Sequence, residues 1–326
     1  MSRPRVFVTQ PIADSALARL RGVANVEVNA DSSQVITQAD LCAGVARNDI
    51  LFALLHDRID REVMTANPKL RAINAMVITP DHIDVAEATR RKIPVTNIPA
   101  IVTDATADIC FGLLLAVARR IVEGDRLFRS GVYPGSQSNH FAGAAVTGKT
   151  LGIVGAGRIG QAVARRASGF GMRIVYADPR RLAESDEHKL NMLHRPLDDV
   201  LREADFVTLH PPLTPQTRHL IGARELSLMK PSAFIINTSR GPVIEEAALV
   251  EALRAKKIAG AGLDVYEHEP QVSPALVAMA NVVLTPHLGS AVFELREGMA
   301  HVVVDNIIAV IEGRRPPNCI NPEVFL

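Results

Sequence analysis

The 326-residue chain predicts an α/β fold of two doubly wound parallel-sheet domains, and three observations carry that prediction. Strand and helix signals alternate along the chain, the pattern of parallel sheets covered by helices on both faces. The length exceeds the size at which a single core stops growing, so two domains are expected. Residues 149–178, KTLGIVGAGRIGQAVARRASGFGMRIVYAD, join a buried strand, a glycine-rich turn, a helix and a second strand in one unit.

In chain order, strands are expected at 6–9, 26–28, 50–55, 70–76 and 95–97, with helices at 15–20, 38–46, 61–66 and 85–91 between them. This region reads as a flavodoxin-like domain. Pro94 and Pro99 bracket its last strand and Thr103 offers an N-cap, so a boundary is expected near residue 98. A long helix, 104–128, is apolar on nearly every face over 109–118 and needs burial all round, inside a core or against another domain or subunit. Residues 131–147, rich in Gly, Ser and Ala, form a loop to the next strand.

That strand, 151–154, meets Gly155, Gly157 and Gly160 in G-x-G-x-x-G spacing, and a helix carrying Ile159, Val163 and Ala164 follows. In such a unit the first glycine makes the turn, the second lets a pyrophosphate approach the backbone, and the third lets helix and strand pack closely. The anion sits on the helix N-terminus, where free N–H groups and the dipole favour it. The second strand, 172–177, ends at Asp178, 18 residues after Gly160. A carboxylate there accepts hydrogen bonds from ribose hydroxyls and repels a 2′-phosphate, so the expected cofactor is NAD rather than NADP. Arg180 and Arg181, which follow at once, are the feature that would suit a 2′-phosphate instead.

A helix at 197–203, a strand at 206–210, the loop PPLTPQT and a helix at 223–229 come next. Three strands at 234–239, 258–265 and 282–285 then end in polar residues, and a helix at 292–312 is closed by Gly313, Pro316 and Pro317. Ligands of open α/β sheets bind outside the carboxyl ends of strands, which singles out Arg240, Glu269 and His287. A guanidinium holds a carboxylate bidentately and polarises a ketone oxygen, a histidine gives and takes a proton at neutral pH, and a carboxylate fixes the imidazole tautomer. Together they suit ketone reduction. Glu267 competes with Glu269 for the third role.

Composition excludes other classes. With 48% hydrophobic and 22% charged residues and a formal net charge of +1, nothing marks a nucleic-acid or anionic-membrane surface. Cys42, Cys110 and Cys319 lack C-x-x-C spacing, so neither a metal site nor a disulfide framework is expected, and a reducing compartment fits. The N-terminus enters a strand pattern without a signal-peptide core. The longest apolar run, 109–118, is ten residues, half the ~20 that span a bilayer. A soluble, cytoplasmic protein without membrane or nucleic-acid partners is expected.

TDATADICFGLLLAVARR, GKTLGIVGAGRIG, LHPPLTPQTRHLIG, INTSRGPVI, AGLDVYEHEP and LTPHLGSA, in that order, resemble the D-isomer-specific 2-hydroxyacid dehydrogenases, and most of all the glyoxylate/hydroxypyruvate reductases. The likeness covers essentially the whole chain. It implies catalysis by Arg240, Glu269 and, as proton donor, His287. It implies cofactor contacts from Arg158 and Ile159 to the pyrophosphate, from Asp178 to the ribose, and from Thr106, Pro211, Thr217, Thr238, Ser239, Asp264 and Gly289 elsewhere. It also implies a homodimer, and an NAD-binding Rossmann-type domain, 99–291, inserted into a substrate (catalytic) domain, 1–98 plus 292–326.

The family usually reads close to V-G-Y-D-N-I-D where backbone amides grip the substrate carboxylate. Here Ile78, Thr79, Pro80, Asp81, His82, Ile83 and Asp84 stand in that place. The amides of Ile78 and Thr79 remain as candidate substrate contacts, but Pro80 has no N–H and stiffens the loop. Related reductases also carry tryptophan before the central strand, and this chain has none; Tyr133, His140 and Phe141 occupy that region. The expected activity is NADH-dependent reduction of a short 2-oxo acid, glyoxylate- or hydroxypyruvate-like, to the D-2-hydroxy acid. The alternatives are a longer 2-keto acid such as 2-ketogluconate, or a dinucleotide-sensing, corepressor-like binding protein.

Overall fold

The computed structural model describes residues 3–31, 33–136 and 139–326. Its elements run β1 (Arg5–Val8), α1 (Asp14–Val23), β2 (Asn25–Val28), α2 (Gln38–Arg47), β3 (Ile50–Ala53), α3 (Arg61–Ala66), β4 (Ala72–Ala75), α4 (Val85–Arg90), β5 (Val95–Thr96), α5 (Thr103–Ala118) and α6 (Ile121–Arg129). They continue with β6 (Thr150–Val154), α7 (Arg158–Ser168), β7 (Arg173–Ala177), α8 (Glu184–Leu190), β8 (Met192–His194), α9 (Leu197–Glu203) and β9 (Phe206–Leu209). The remainder is α10 (Ala223–Leu228), β10 (Phe234–Asn237), α11 (Glu246–Arg254), β11 (Gly260–Leu263), α12 (Pro274–Val277), β12 (Val282–Leu284) and α13 (Phe293–Ile311). Two compact units result, Met1–Ile101 with Ala291–Leu326, and Val102–Ser290.

The first unit holds a five-stranded parallel sheet in the order β2-β1-β3-β4-β5, the flavodoxin-like order. Its inner strands β1, β3 and β4 are mostly apolar and buried, as in a sheet covered on both faces, with Val6, Phe52 and Ile73 completely buried, whereas edge strand β2 is only partly buried. Side-chain caps start α2, α3 and α4: Thr37 accepts from the Asp40 amide, Asp60 from Glu62, and Asp84 from Glu87. α13 returns to this unit and packs on α1 and β4.

The second unit holds seven parallel strands in the order β12-β11-β10-β9-β6-β7-β8, so the strand order reverses between β6 and β9. That is the Rossmann-type topology with its switch point. The registers bring Val154 level with Ala177 and Leu209, Leu209 level with Asn237, Asn237 with Leu263, and Leu263 with Leu284. Six strands therefore end on one line, and the next residue of each opens the ligand-facing edge. The core lies on both faces, with Leu114, Ile153 and Phe206 on the α5 side and Leu209, Ile235 and Leu249 on the other. The expected fold class is borne out, with both sheets wholly parallel.

Several boundaries differ from expectation. The single helix at 104–128 is two, because Arg120 adopts a left-handed φ of +54° and turns the chain where the apolar run ends. Its guanidinium pairs with Glu123 and lies 4.5 Å over the Phe141 ring, fixing the corner. Thr103 is the first residue of α5 rather than its cap, which is Val102. α8, β8, α11 and α12 are additional to the expected elements. No helix among the described residues is long and apolar enough to cross a membrane.

Candidate active site

The glycine-rich turn is shaped by what it lacks. Gly155 has φ +91°, and a Cβ there would stand 2.8 Å from the Pro211 nitrogen and 2.9 Å from the His210 carbonyl carbon. A Cβ on Gly160 would stand 2.3 Å from the Gly155 oxygen, so only glycine lets α7 pack on β6. Around Gly157 there is open space instead. α7 starts without a side-chain cap, and among the described residues the amides of Arg158, Ile159 and Gly160 have no acceptor. Open room over Gly157 and three uncapped amides at a helix N-terminus fit a dinucleotide pyrophosphate. Asp178, the first residue past β7, accepts from the Ala156 amide and the Arg180 amide, both at 2.9 Å, and so stands beside the same turn.

Three loops beyond β10, β11 and β12 carry the other candidates. His287 Nδ1 lies 2.9 Å from Glu269 Oε2, and both side chains are mostly buried. The other oxygen of Glu269 accepts from the Tyr266 amide at 2.9 Å, which aims the carboxylate. Glu267 is engaged elsewhere: it accepts from the Glu246 amide and pairs with His219 at 2.5 Å. Of the two carboxylates, Glu269 is the one that faces His287.

His287 has a left-handed φ of +53°, unusual for a residue with a side chain. Asp264 holds that conformation. Its carboxylate accepts from Thr285 Oγ1 at 2.6 Å and from the Leu288 and Gly289 amides at 2.7 and 2.8 Å, and its carbonyl accepts from the His287 amide at 3.0 Å. Burial pushes the Asp264 carboxyl up against those bonds. Tyr266 adds a hydroxyl bond to the Thr285 carbonyl at 2.7 Å, and Thr106 one to Gly289 at 3.1 Å.

Arg240 follows a turn closed by buried Asn237. The Asn237 Oδ1 accepts from the Ser239 amide (3.0 Å) and hydroxyl (2.8 Å), and its Nδ2 donates to the Arg240 carbonyl at 3.0 Å. A Cβ on Gly241 would stand 1.8 Å from the Tyr266 oxygen, so the backbone after Arg240 runs directly against the loop of Glu269.

The remaining predicted residues divide by what they hold. Pro211 backs Gly155 at the switch point. Thr217 closes its own loop, donating to the Pro212 carbonyl at 2.5 Å and accepting from the Thr214 amide at 2.8 Å. The Thr238 hydroxyl is buried. Ile78 and Thr79 lie past β4 in the first unit, where Asn97 donates to the Ile78 carbonyl at 2.7 Å and the Thr79 hydroxyl to Asp81 at 2.9 Å.

Sequence reasoning missed Asn237, Tyr266 and His210. Both ring nitrogens of His210 are buried at the switch point, and burial pushes its pKa down to about 3, so the ring is neutral. His210 directly follows buried β9 and Asn237 ends buried β10, so a polar residue at the carboxyl end of an apolar strand is the signal those two share; Tyr266 lies three residues past β11 and carries no such mark.

The family model "D-isomer specific 2-hydroxyacid dehydrogenase, NAD binding domain" matches residues 111–289. The glyoxylate reductase of Thermococcus litoralis is 46% identical over 99% of this chain and 98% of its own. This chain belongs to the D-isomer specific 2-hydroxyacid dehydrogenase family. As a member it is an oxidoreductase with a dinucleotide cofactor, and the resemblance read from its motifs is borne out. The solved TT0316 protein of Thermus thermophilus shares 43% identity with a TM-score of 0.88, covering 97% of this chain and 99% of that one. The NADPH-dependent glyoxylate/hydroxypyruvate reductase of Sinorhizobium meliloti, solved with NADP and malonate, shares 32% identity with a TM-score of 0.79, covering 99% and 98%.

Proposed function

We propose that this family member reduces a short 2-oxo acid, glyoxylate- or hydroxypyruvate-like, to the D-2-hydroxy acid with NADH. The observation that carries the reading is the His287–Glu269 pair, held at 2.9 Å just past the common strand-end line that also carries the Arg240 turn. The names of the relatives support the substrate class. A bound nicotinamide supplies the hydride for C2 of the substrate. Arg240 holds the carboxylate and stabilises negative charge on the ketone oxygen. With Nδ1 held by Glu269, His287 delivers the proton to that oxygen from Nε2, and Glu269 stabilises the cationic ring before the transfer. The Ile78 and Thr79 amides are proposed as further carboxylate donors, on a substrate domain of 1–98 plus 292–326, with 99–291 as the NAD domain.

Asp178 supports NAD over NADP, since a carboxylate beside the turn repels a 2′-phosphate. The reading extends to a cytoplasmic homodimer. Free cysteines favour a reducing compartment, and Ile121, Phe128, Val132 and Tyr133 expose apolar surface around α6 that a second copy would cover.

The test is kcat/KM with NADH and with NADPH across glyoxylate, hydroxypyruvate, pyruvate and 2-ketogluconate. The expected result is turnover, NADH the better donor and glyoxylate or hydroxypyruvate the better substrate. Flat traces from a protein that binds NADH would replace this reading with the dinucleotide-sensing one.

A further inference from the structure

Asp178 is followed by two arginines, placed where a cation accommodates the 2′-phosphate of NADP. One of them is already engaged. Arg181 donates from Nε to Glu187 Oε1 at 2.9 Å and from Nη2 to Glu187 Oε2 at 2.8 Å, the bidentate fork that fixes a guanidinium in orientation as well as place. Glu187, on α8, is buried, whereas the Arg181 side chain is 65% exposed. The arginine is therefore tethered from below with its outer face toward solvent.

Glu187 is itself anchored. Its Oε1 accepts from the hydroxyl of Tyr176 at 2.6 Å, and the Tyr176 oxygen accepts from the Leu182 amide at 2.9 Å. Tyr176 is fully buried on β7, two residues before Asp178, with His194 of β8 packed on its ring at 5.1 Å. His194 Nε2 lies 3.2 Å from the Asp178 carbonyl. The Arg181 bonds, helped by Tyr176, hold the Glu187 carboxyl down to about 2, and burial pushes the Tyr176 hydroxyl up to about 12. The carboxylate is ionised near neutral pH, and Tyr176, Asp178, Arg181 and His194 are braced around it.

We propose that Glu187 is a specificity-determining residue: by holding Arg181 in a bidentate pair, it withholds from a 2′-phosphate the cation that would neutralise it. Selection for NAD then has two layers, repulsion by Asp178 and sequestration by Glu187. The proposal rests on the NAD reading of Asp178. Arg180 is the competing reader; it is exposed, tied by its amide to Asp178, and among the described residues its side chain forms no ion pair.

Calorimetric titration of the full chain with 5′-AMP and with 2′,5′-ADP, which differ only by the 2′-phosphate, separates these ideas without turnover. The wild type is expected to favour 5′-AMP; preference for 2′,5′-ADP would reject the NAD reading itself. With that reading standing, Asp178→Ser alone gains little for 2′,5′-ADP. Asp178→Ser with Glu187→Gln gains roughly tenfold beyond the two single changes, the scale of one charge-assisted bond, and Arg181→Ala abolishes the gain. Purely additive singles, or a gain that survives Arg181→Ala, would overturn the proposal. Should the Glu187→Gln chains fail to fold in a melting assay, Arg181→Ala in the otherwise wild-type chain decides. Unchanged affinities for both nucleotides support sequestration, and weakened 2′,5′-ADP binding means Arg181 already reads the phosphate.

Discussion

The turn at 155–160 and the loops after β10, β11 and β12 stand on the same line of strand ends, yet they are built by opposite means. The turn works by omission: Gly155 and Gly160 leave no room for a Cβ, Gly157 leaves room for something else, and the amides of α7 stay uncapped. The loops work by addition. Asn237, Asp264 and Tyr266 place buried side-chain hydrogen bonds on backbone groups of the segments that carry Arg240 and His287, and the Tyr266 amide holds Glu269. An anion can be held by backbone alone. Aiming three side chains at one reacting centre needs polar residues buried behind them, each fully bonded. The contrast predicts that damage to the turn appears in cofactor binding and damage to the loops in turnover.

The largest effect is expected at Gly155. Gly155→Ala forces a side chain into φ +91° and a Cβ into the backbone of His210 and Pro211, at about 1–3 kcal/mol or more of strain. Loss of NADH binding in a fluorescence titration is expected, with a lowered Tm. An alanine variant that binds NADH normally would break the contrast at its first term.

Asn237→Ala should be milder and of the other kind. Removing the amide leaves the Ser239 amide and hydroxyl without their acceptor, a cost of about 1–3 kcal/mol, and loosens the segment carrying Arg240. A fall of roughly tenfold or more in kcat/KM with NADH affinity unchanged is expected. If instead NADH affinity fell and kcat held, Asn237 would belong with the turn.

The two regions also differ in how far they could be read from sequence. The turn was legible because glycine spacing is local, and Asp178 because it closes the strand after the helix. Arg240, Glu269 and His287 were legible as residues following three strands, but the choice between Glu267 and Glu269 was not, because it depends on which carboxylate the fold turns toward His287. Asn237 and Asp264 are equally hidden as braces. Their role exists only because Asn237, Leu263 and Leu284 are brought level by pairing between strands far apart in sequence. The helix at 104–128 misled for a different reason: a continuous polar and apolar pattern carries no mark of a left-handed residue, and Arg120 supplies the break. α8 and β8 are short, and their hydrophobic pattern is weak.

The most direct test is His287→Ala, followed by kcat with glyoxylate and by the NADH dissociation constant. The account predicts that kcat falls by roughly 10²–10⁴, the scale of a lost general acid, while NADH affinity stays within about twofold. An unchanged kcat, or a loss explained wholly by weaker NADH binding, would contradict it.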